Sequence, residues 1–121
     1  MRKPNIKNDI EKKIIAVDFD GTLHFGKNYP FIGEPNTELI EFIKNNRHKY
    51  WFILWTMREG KQLAFAKEWI KEQGIKFDAI NDNLQFMKEK WNNNPRKVYA
   101  DYYIDDHNRT LQEVLNDESN N

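Results

Sequence analysis

Two aspartates one residue apart, Asp18 and Asp20, close the apolar run Ile14-Ile15-Ala16-Val17 and precede Gly21-Thr22-Leu23. Such a run of branched residues reads as a strand buried on both faces. Carboxylates at its end are costly to desolvate unless paired, hydrogen-bonded or bound to a cation. An Asx turn or a helix cap accounts for one acid but not for both. The pair suits phosphoryl transfer with Mg²⁺, Asp18 attacking as nucleophile and Asp20 donating a proton. In that division of labour Asp20 starts protonated while Asp18 is ionised, which requires two different environments.

Further polar groups follow apolar runs elsewhere. Tyr50-Trp51-Phe52-Ile53-Leu54-Trp55 ends at Thr56, and the run from Lys97 to Ile104 leads into Asp105-Asp106. The sequence predicts strands over 13–18, 50–56, 75–80 and 97–104. Between and after them it predicts helices over about 36–48, 60–73, 82–91 and 108–116. Asn36 would cap the first helix, and Gly74 would stop the second. This alternation implies an α/β fold, a Rossmann-like three-layer sandwich with a mainly parallel sheet.

In open parallel sheets ligands bind beyond the carboxyl ends of the strands. Asp18, Asp20, Thr56, Asp105 and Asp106 would therefore share one rim, with Lys97 nearby. Clustered acids alone would repel a phosphate monoester. A hard cation held by oxygen ligands resolves the conflict, and Mg²⁺ fits because it retains waters and shares phosphate oxygens. Lys97 would add positive charge and favour the ionised form of Asp18. Asp18 could then form an aspartyl-phosphate, and Asp20 would protonate the leaving oxygen and later activate water.

The chain of 121 residues is long enough for one domain, with residues 1–12 and 117–121 expected to fray. Its 19 basic and 19 acidic residues balance, so no global field favours nucleic acid or an anionic membrane. The absence of cysteine excludes disulfides, thiolate chemistry and sulfur-ligated zinc. No apolar run reaches membrane-spanning length, and the polar start lacks a signal-peptide core. A cytoplasmic protein is the expectation.

Residues 24–33 read as a turn or hairpin flap in which Phe25, Tyr29 and Phe31 anchor to the core or wall a pocket. The tryptophans read as core. Arg58 would clamp a substrate phosphate or form a surface ion pair with Glu59 or another acid. Asp101 reads as a structural residue at a strand start rather than a second acid near the site, and Asn81 and Asn83 as turn residues rather than pocket lining. His24, His48 and His107 lack metal-ligand spacing; His107 lies beside the acids.

Asp18-Phe19-Asp20-Gly21-Thr22-Leu23 resembles the first motif of the haloacid dehalogenase-like (HAD) phosphatases. Thr56 is similar to their second motif, whose hydroxyl binds phosphate, and Asp105-Asp106 to their fourth, whose acids hold Mg²⁺. The resemblance implies side-chain ligation of the metal by Asp18 and Asp105, backbone ligation by Asp20, and Asp106 as an additional or water-mediated ligand. Lys97 is the best match to the basic third motif, with Arg96, Lys88 and Lys90 as rivals. An acid at position 20 resembles the phosphatase rather than the dehalogenase branch.

The chain leaves no room for a cap domain between Asp20 and Thr56 or between Thr56 and Lys97. The implied open site suits a phosphorylated substrate that is bulky or polymeric, or a partner subunit of an oligomer as lid. Two competitors share these residues. A polynucleotide end phosphatase fits the open site and the basic lead-in. A phosphoacceptor of receiver type fits the acids and hydroxyl, but a pure acceptor has no use for the acid at Asp20.

Overall fold

The computed structural model describes residues 12–91, 99–105 and 110–119. Strand β1 (Lys13–Asp18) is interior to a four-stranded sheet and buried along nearly its whole length. Helix α1 (Thr37–Asn45) returns the chain to β2 (Tyr50–Trp55), and helix α2 (Gly60–Glu72) to β3 (Ala79–Ile80). Helix α3 (Gln85–Trp91), strand β4 (Tyr102–Ile104) and helix α4 (Leu111–Ser119) complete the order. The strands lie as β3-β2-β1-β4, all parallel.

That order explains the layers. From β1 through β2 to β3 the chain steps one way across the sheet, and right-handed crossovers place both helices on one face. It then reverses to reach β4 on the other side of β1, so α3 crosses the opposite face. Leu39, Ile40 and Ile43 of α1, Ala66 and Ile70 of α2, and Leu111 and Val114 of α4 accordingly pack with Ile15, Val17, Phe52, Leu54 and Ile104. On the second face Leu84 and Met87 meet Ile14, Ala16 and Ile53. The expected α/β Rossmann-like sandwich with a parallel sheet is what forms, and no cap domain occurs among the described residues.

Local chemistry sets the boundaries. Asn36 caps α1 as expected, its Oδ1 accepting from the Leu39 N–H. The helix stops at Asn45 rather than near His48. There the Asn46 side chain donates to the Phe42 carbonyl, and its own carbonyl takes the Lys49 and Tyr50 N–H groups. The predicted strand over 75–80 shrinks to Ala79–Ile80. The Asp78 N–H still donates to the Phe52 carbonyl, but the Phe52 N–H goes to the Asp78 carboxylate at 2.8 Å, which also pairs with Arg47, so a side chain takes the place of the next ladder bond.

Helix α3 starts at Gln85 rather than Asp82, because Asp82 accepts from the Asn83 N–H and pairs with Lys88. Strand β4 is shorter than expected at its start. Asp101 accepts from the Ile14 N–H at 2.7 Å and from the Tyr99 hydroxyl, confirming its structural role at the amino end of the sheet.

Two core expectations need correction. Trp55 is 41% exposed. It follows Trp51 and Ile53 on the face that α3 covers, and among the described side chains that short helix packs on those two. Phe25, Tyr29 and Phe31 are more than half exposed and do not anchor the flap in the core.

Of the residues expected to fray, 1–11 and 120–121 lie outside the described residues, whereas Lys12 and 117–119 are held in place. Lys12 donates to the Arg47 carbonyl and lies over the Trp51 ring. Residues 117–119 belong to α4, and Glu118 fastens that helix to three strands. Its carboxylate accepts from Lys13 at 2.7 Å, Tyr102 at 2.8 Å and Tyr50 at 2.9 Å. Burial alone would raise its pKa, but hydrogen bonds from Lys13, Tyr102 and Tyr50 outweigh that and lower it. Burial, together with Glu118, pushes the Tyr50 phenol up to about 12.

Because the folded Glu118 pKa lies below its ordinary value, its stabilisation is full at neutral pH and drains away as pH falls through the folded value. Glu118→Gln should lower unfolding stability by about 1–2 kcal/mol at pH 7, within the range for hydrogen bonds to a charged group beside a partly exposed lysine. Urea unfolding as a function of pH should show the gap closing in acid. An equal gap at both pH extremes would contradict this account.

Candidate functional site

Reversal of strand order between β1 and β4 opens the crevice in which parallel sheets take ligands. Asp18 ends β1 at this point, and Asp105 immediately follows β4. The register pairing Val17 with Ile104, continued by one residue, sets Asp18 against Asp105 on strands about 4.8 Å apart. A cavity of about 260 Å³ opens there, walled by Gly21, Thr22, Ile104 and Asp105 among others. The two acids, 87 positions apart in the chain, thus meet on one rim as expected.

The segment after β1 is a tight turn held from below. Phe19 and Leu23 are fully buried, and the Leu23 N–H donates to the Phe19 carbonyl at 3.0 Å. Asp20 is displayed between them. Gly21 takes a φ of +77°, which a side chain would oppose. Asn36, besides capping α1, donates from its side chain to the Thr22 carbonyl and from its backbone to the Leu23 carbonyl. The Thr22 hydroxyl lies 3.5 Å from Asp18 Oδ2. Core packing and a helix cap therefore position the acidic turn.

Asp20 is bonded by two side chains from other segments. Arg58 Nε donates to its Oδ2 at 2.9 Å and Arg58 Nη2 to its Oδ1 at 2.7 Å, a two-point fork. His24 Nε2 lies 2.9 Å from the same Oδ1. The backbone N–H groups of Gly26 and Gly33 both point to His24 Nδ1, at 3.0 and 3.1 Å. Nδ1 is therefore the acceptor, and Nε2 carries the proton given to Asp20. These glycines approach so closely that a Cβ on Gly33 would lie 2.4 Å from the Gly26 Cα. Only bare backbone fits at this neck of the flap.

Arg58 corrects an expectation. Its side chain has no exposed surface, and its guanidinium sits between the Phe19 and Tyr29 rings, 4.9 Å from each centroid. Nη2 also donates to the Pro30 carbonyl and Nη1 to the Gln62 carbonyl. With its donors committed inside the protein, Arg58 is the buried partner of an acid and not a clamp for substrate phosphate. That acid is Asp20, and not Glu59.

The protonation state of Asp20 differs from expectation as well. Burial by itself would raise its pKa, yet the hydrogen bonds from Arg58 and His24, with the Arg58 charge, hold it below the ordinary carboxylate value. The resting site contains Asp20 as a carboxylate, not as the protonated acid that the sequence reading required.

Thr56 follows β2 and is buried. Its N–H donates to Asn81 Oδ1 at 2.8 Å, and its hydroxyl oxygen accepts from the Arg58 N–H at 3.1 Å. The hydroxyl hydrogen remains available to an anion. Asn81 holds this pose from a left-handed conformation, φ +51°, which asparagine tolerates better than most residues. It is thus more than a turn residue, because it fixes Thr56. Asn83 accepts from the Tyr99 N–H and is structural.

Lys97, Asp106, Arg96 and His107 lie outside the described residues. Lys88 pairs with Asp82 beyond β3, two strands away from β1. Among the described residues no group of three or more His, Cys, Asp or Glu side chains is gathered to hold a metal. The donor set still suits Mg²⁺, which needs one or two carboxylates and takes its other ligands from water and phosphate oxygens. Asp18 and Asp105 are the carboxylates that would meet that need.

His24 is the site residue that the sequence reading missed. The available signal was a histidine four places after Asp20, in a turn too short for a helix and followed by two glycines. No family model matches the chain, and no curated protein matches it. A solved structure does, that of a conserved protein coded by a locus of Bacteroides thetaiotaomicron. It is 32% identical, with a TM-score of 0.70 and coverage of 90% of each chain. At that identity and coverage, the chain belongs to the same family as this conserved Bacteroides thetaiotaomicron protein.

Proposed function

We propose that the protein is a Mg²⁺-dependent phosphatase of the HAD type, hydrolysing a phosphate monoester through an aspartyl-phosphate on Asp18. One observation carries the reading. Asp18 and Asp105 end adjacent strands at the point of reversed strand order, beside a turn that presents a second acid. Packing alone gives no reason for that arrangement, because each of these acids must be compensated.

Asp18 attacks phosphorus, and the bond to the leaving oxygen breaks. Thr56 donates its hydroxyl hydrogen to a phosphate oxygen from a rigid position. Asp20, ionised at rest, takes the proton of a monoanionic phosphate group and delivers it to the leaving oxygen. In the second step it removes a proton from the water that attacks the aspartyl-phosphate, releasing phosphate and restoring Asp18. Asp18 and Asp105 would hold Mg²⁺ with the Asp20 carbonyl, and Asp106 would assist. The ion would neutralise phosphate charge, which clustered acids cannot do. Lys97 remains the proposed second cation.

Arg58 and His24 then act on Asp20 and not on substrate. Together they aim its carboxylate and tie the flap to the turn after β2. Removing the charge of Asp20 would leave a buried guanidinium without its counterion. The pair is one-third exposed on the aspartate side, so the loss is smaller than the about 3–5 kcal/mol of a fully buried pair.

Asp18→Asn should abolish hydrolysis of an aryl phosphate and leave the melting temperature near that of the wild type. Retained turnover would remove Asp18 from the nucleophile's role. Asp20→Asn should behave differently in two respects. It should lower stability by about 2 kcal/mol, and it should slow alkyl phosphates by about 10²–10⁴-fold. Aryl phosphates, whose leaving groups need less help from a proton, should be slowed less. A uniform loss across leaving groups would contradict the acid/base role.

A further inference from the structure

A second cavity, of about 490 Å³, adjoins the crevice and is lined by Asp20, Gly21, Phe25, Gly26, Lys27 and Tyr29. Gly21 and Phe25 belong to both cavities, so the larger one is the outward extension of the crevice. Its size falls within the range of small-molecule sites. Two of its walls are aromatic rings that folding leaves largely in water, Phe25 at 56% and Tyr29 at 62% exposure. Lys27 stands between them in sequence and has no ion-pair partner among the described residues.

These rings do not ride on a loose loop. The Phe25 N–H donates to the Glu34 carbonyl, and the Phe31 N–H to the Asn28 carbonyl. The neck is gathered by His24 Nδ1, the Pro30 carbonyl accepts from Arg58, and one face of Tyr29 rests on the Arg58 guanidinium. The flap backbone and the Tyr29 ring are therefore held in place beside Asp20, with the exposed Phe25 ring and Lys27 lining the same cavity. A ring held as Tyr29 is loses little freedom when a flat group stacks on it.

We propose that this cavity is the specificity subsite for a phosphate monoester carrying a planar aromatic group, such as a nucleoside monophosphate. The aromatic group stacks against Phe25 and Tyr29 while the phosphate lies in the crevice. Lys27 meets anionic or carbonyl oxygens at the edge of the ligand. The assignment of phosphate to the crevice rests on the proposed phosphatase reading; the stacking subsite rests on the flap itself.

Calorimetry on the full-length Asp18→Asn chain with Mg²⁺ separates the two, because binding is read without turnover. Adenosine 5′-monophosphate should bind about tenfold more tightly than ribose 5-phosphate, as one stacked base warrants. Adding Phe25→Ala should erase that preference, and Phe25→Trp should restore it. Equal affinities for the two ligands, or a preference indifferent to Phe25, would overturn the proposal. Self-association abolished by Phe25→Ala, with no nucleotide preference, would overturn it in favour of a protein-binding face. The same preference, alongside a wild-type chain that hydrolyses no phosphate, would support the subsite and refute the phosphatase reading.

Discussion

Everything at the rim depends on how the protein compensates Asp20. A carboxylate just past a buried strand needs partners, and it finds them in an arginine fork from the loop after β2 and an imidazole from the flap. This one cluster ties together three segments that share no regular secondary structure. It fixes the acid relative to β1, fixes the flap relative to α2 through Arg58, and sets the flap's neck through the second histidine nitrogen. Arg58 has no exposed surface, so the cluster is part of the core as much as of the site. Such a network is strong when complete and costly when broken at one member.

Above that cluster the topology does the remaining positioning. Stepping from β1 through β2 to β3 and then back to β4 produces the one place where adjacent crossovers diverge to opposite faces. Asp18 and Asp105 flank it. Nothing in either local segment requires them to meet; the order of strands in the sheet does. The helix caps reinforce this, since Asn36 serves both the start of α1 and the turn that carries Asp20. The same backbone therefore builds the hydrophobic layers and places the polar rim.

Much of this was legible beforehand because periodicity and end signals agreed. The β1 and β2 runs are apolar on both faces, and that pattern alone marks interior parallel strands. The Asn36 cap and the stop at Gly74 follow from side-chain and backbone preferences within a few residues. What sequence could not show was competition from distant side chains. Asp78 shortens β3 by capturing the Phe52 amide, and Asp101 does the same for Ile14. Arg58 resembled a free clamp because its acid partner lies 38 positions away, and His24 resembled a stray histidine because its partners include two backbone amides. The protonated state expected of Asp20 failed for the same reason, since it depends on a fork invisible in local sequence. Glu118 looked like part of a polar tail until its three partners from β1, β2 and β4 were in place.

On the proposed function Asp18 accepts phosphorus while sharing a cation with Asp105. A crystal structure grown with Mg²⁺ and beryllium fluoride, a mimic of the phosphorylated carboxylate, tests it most directly. The expected result is fluoride-bearing beryllium on an Asp18 oxygen and one magnesium ion touching both Asp18 and Asp105. Beryllium on a different residue, or an ion that touches neither acid, would contradict it.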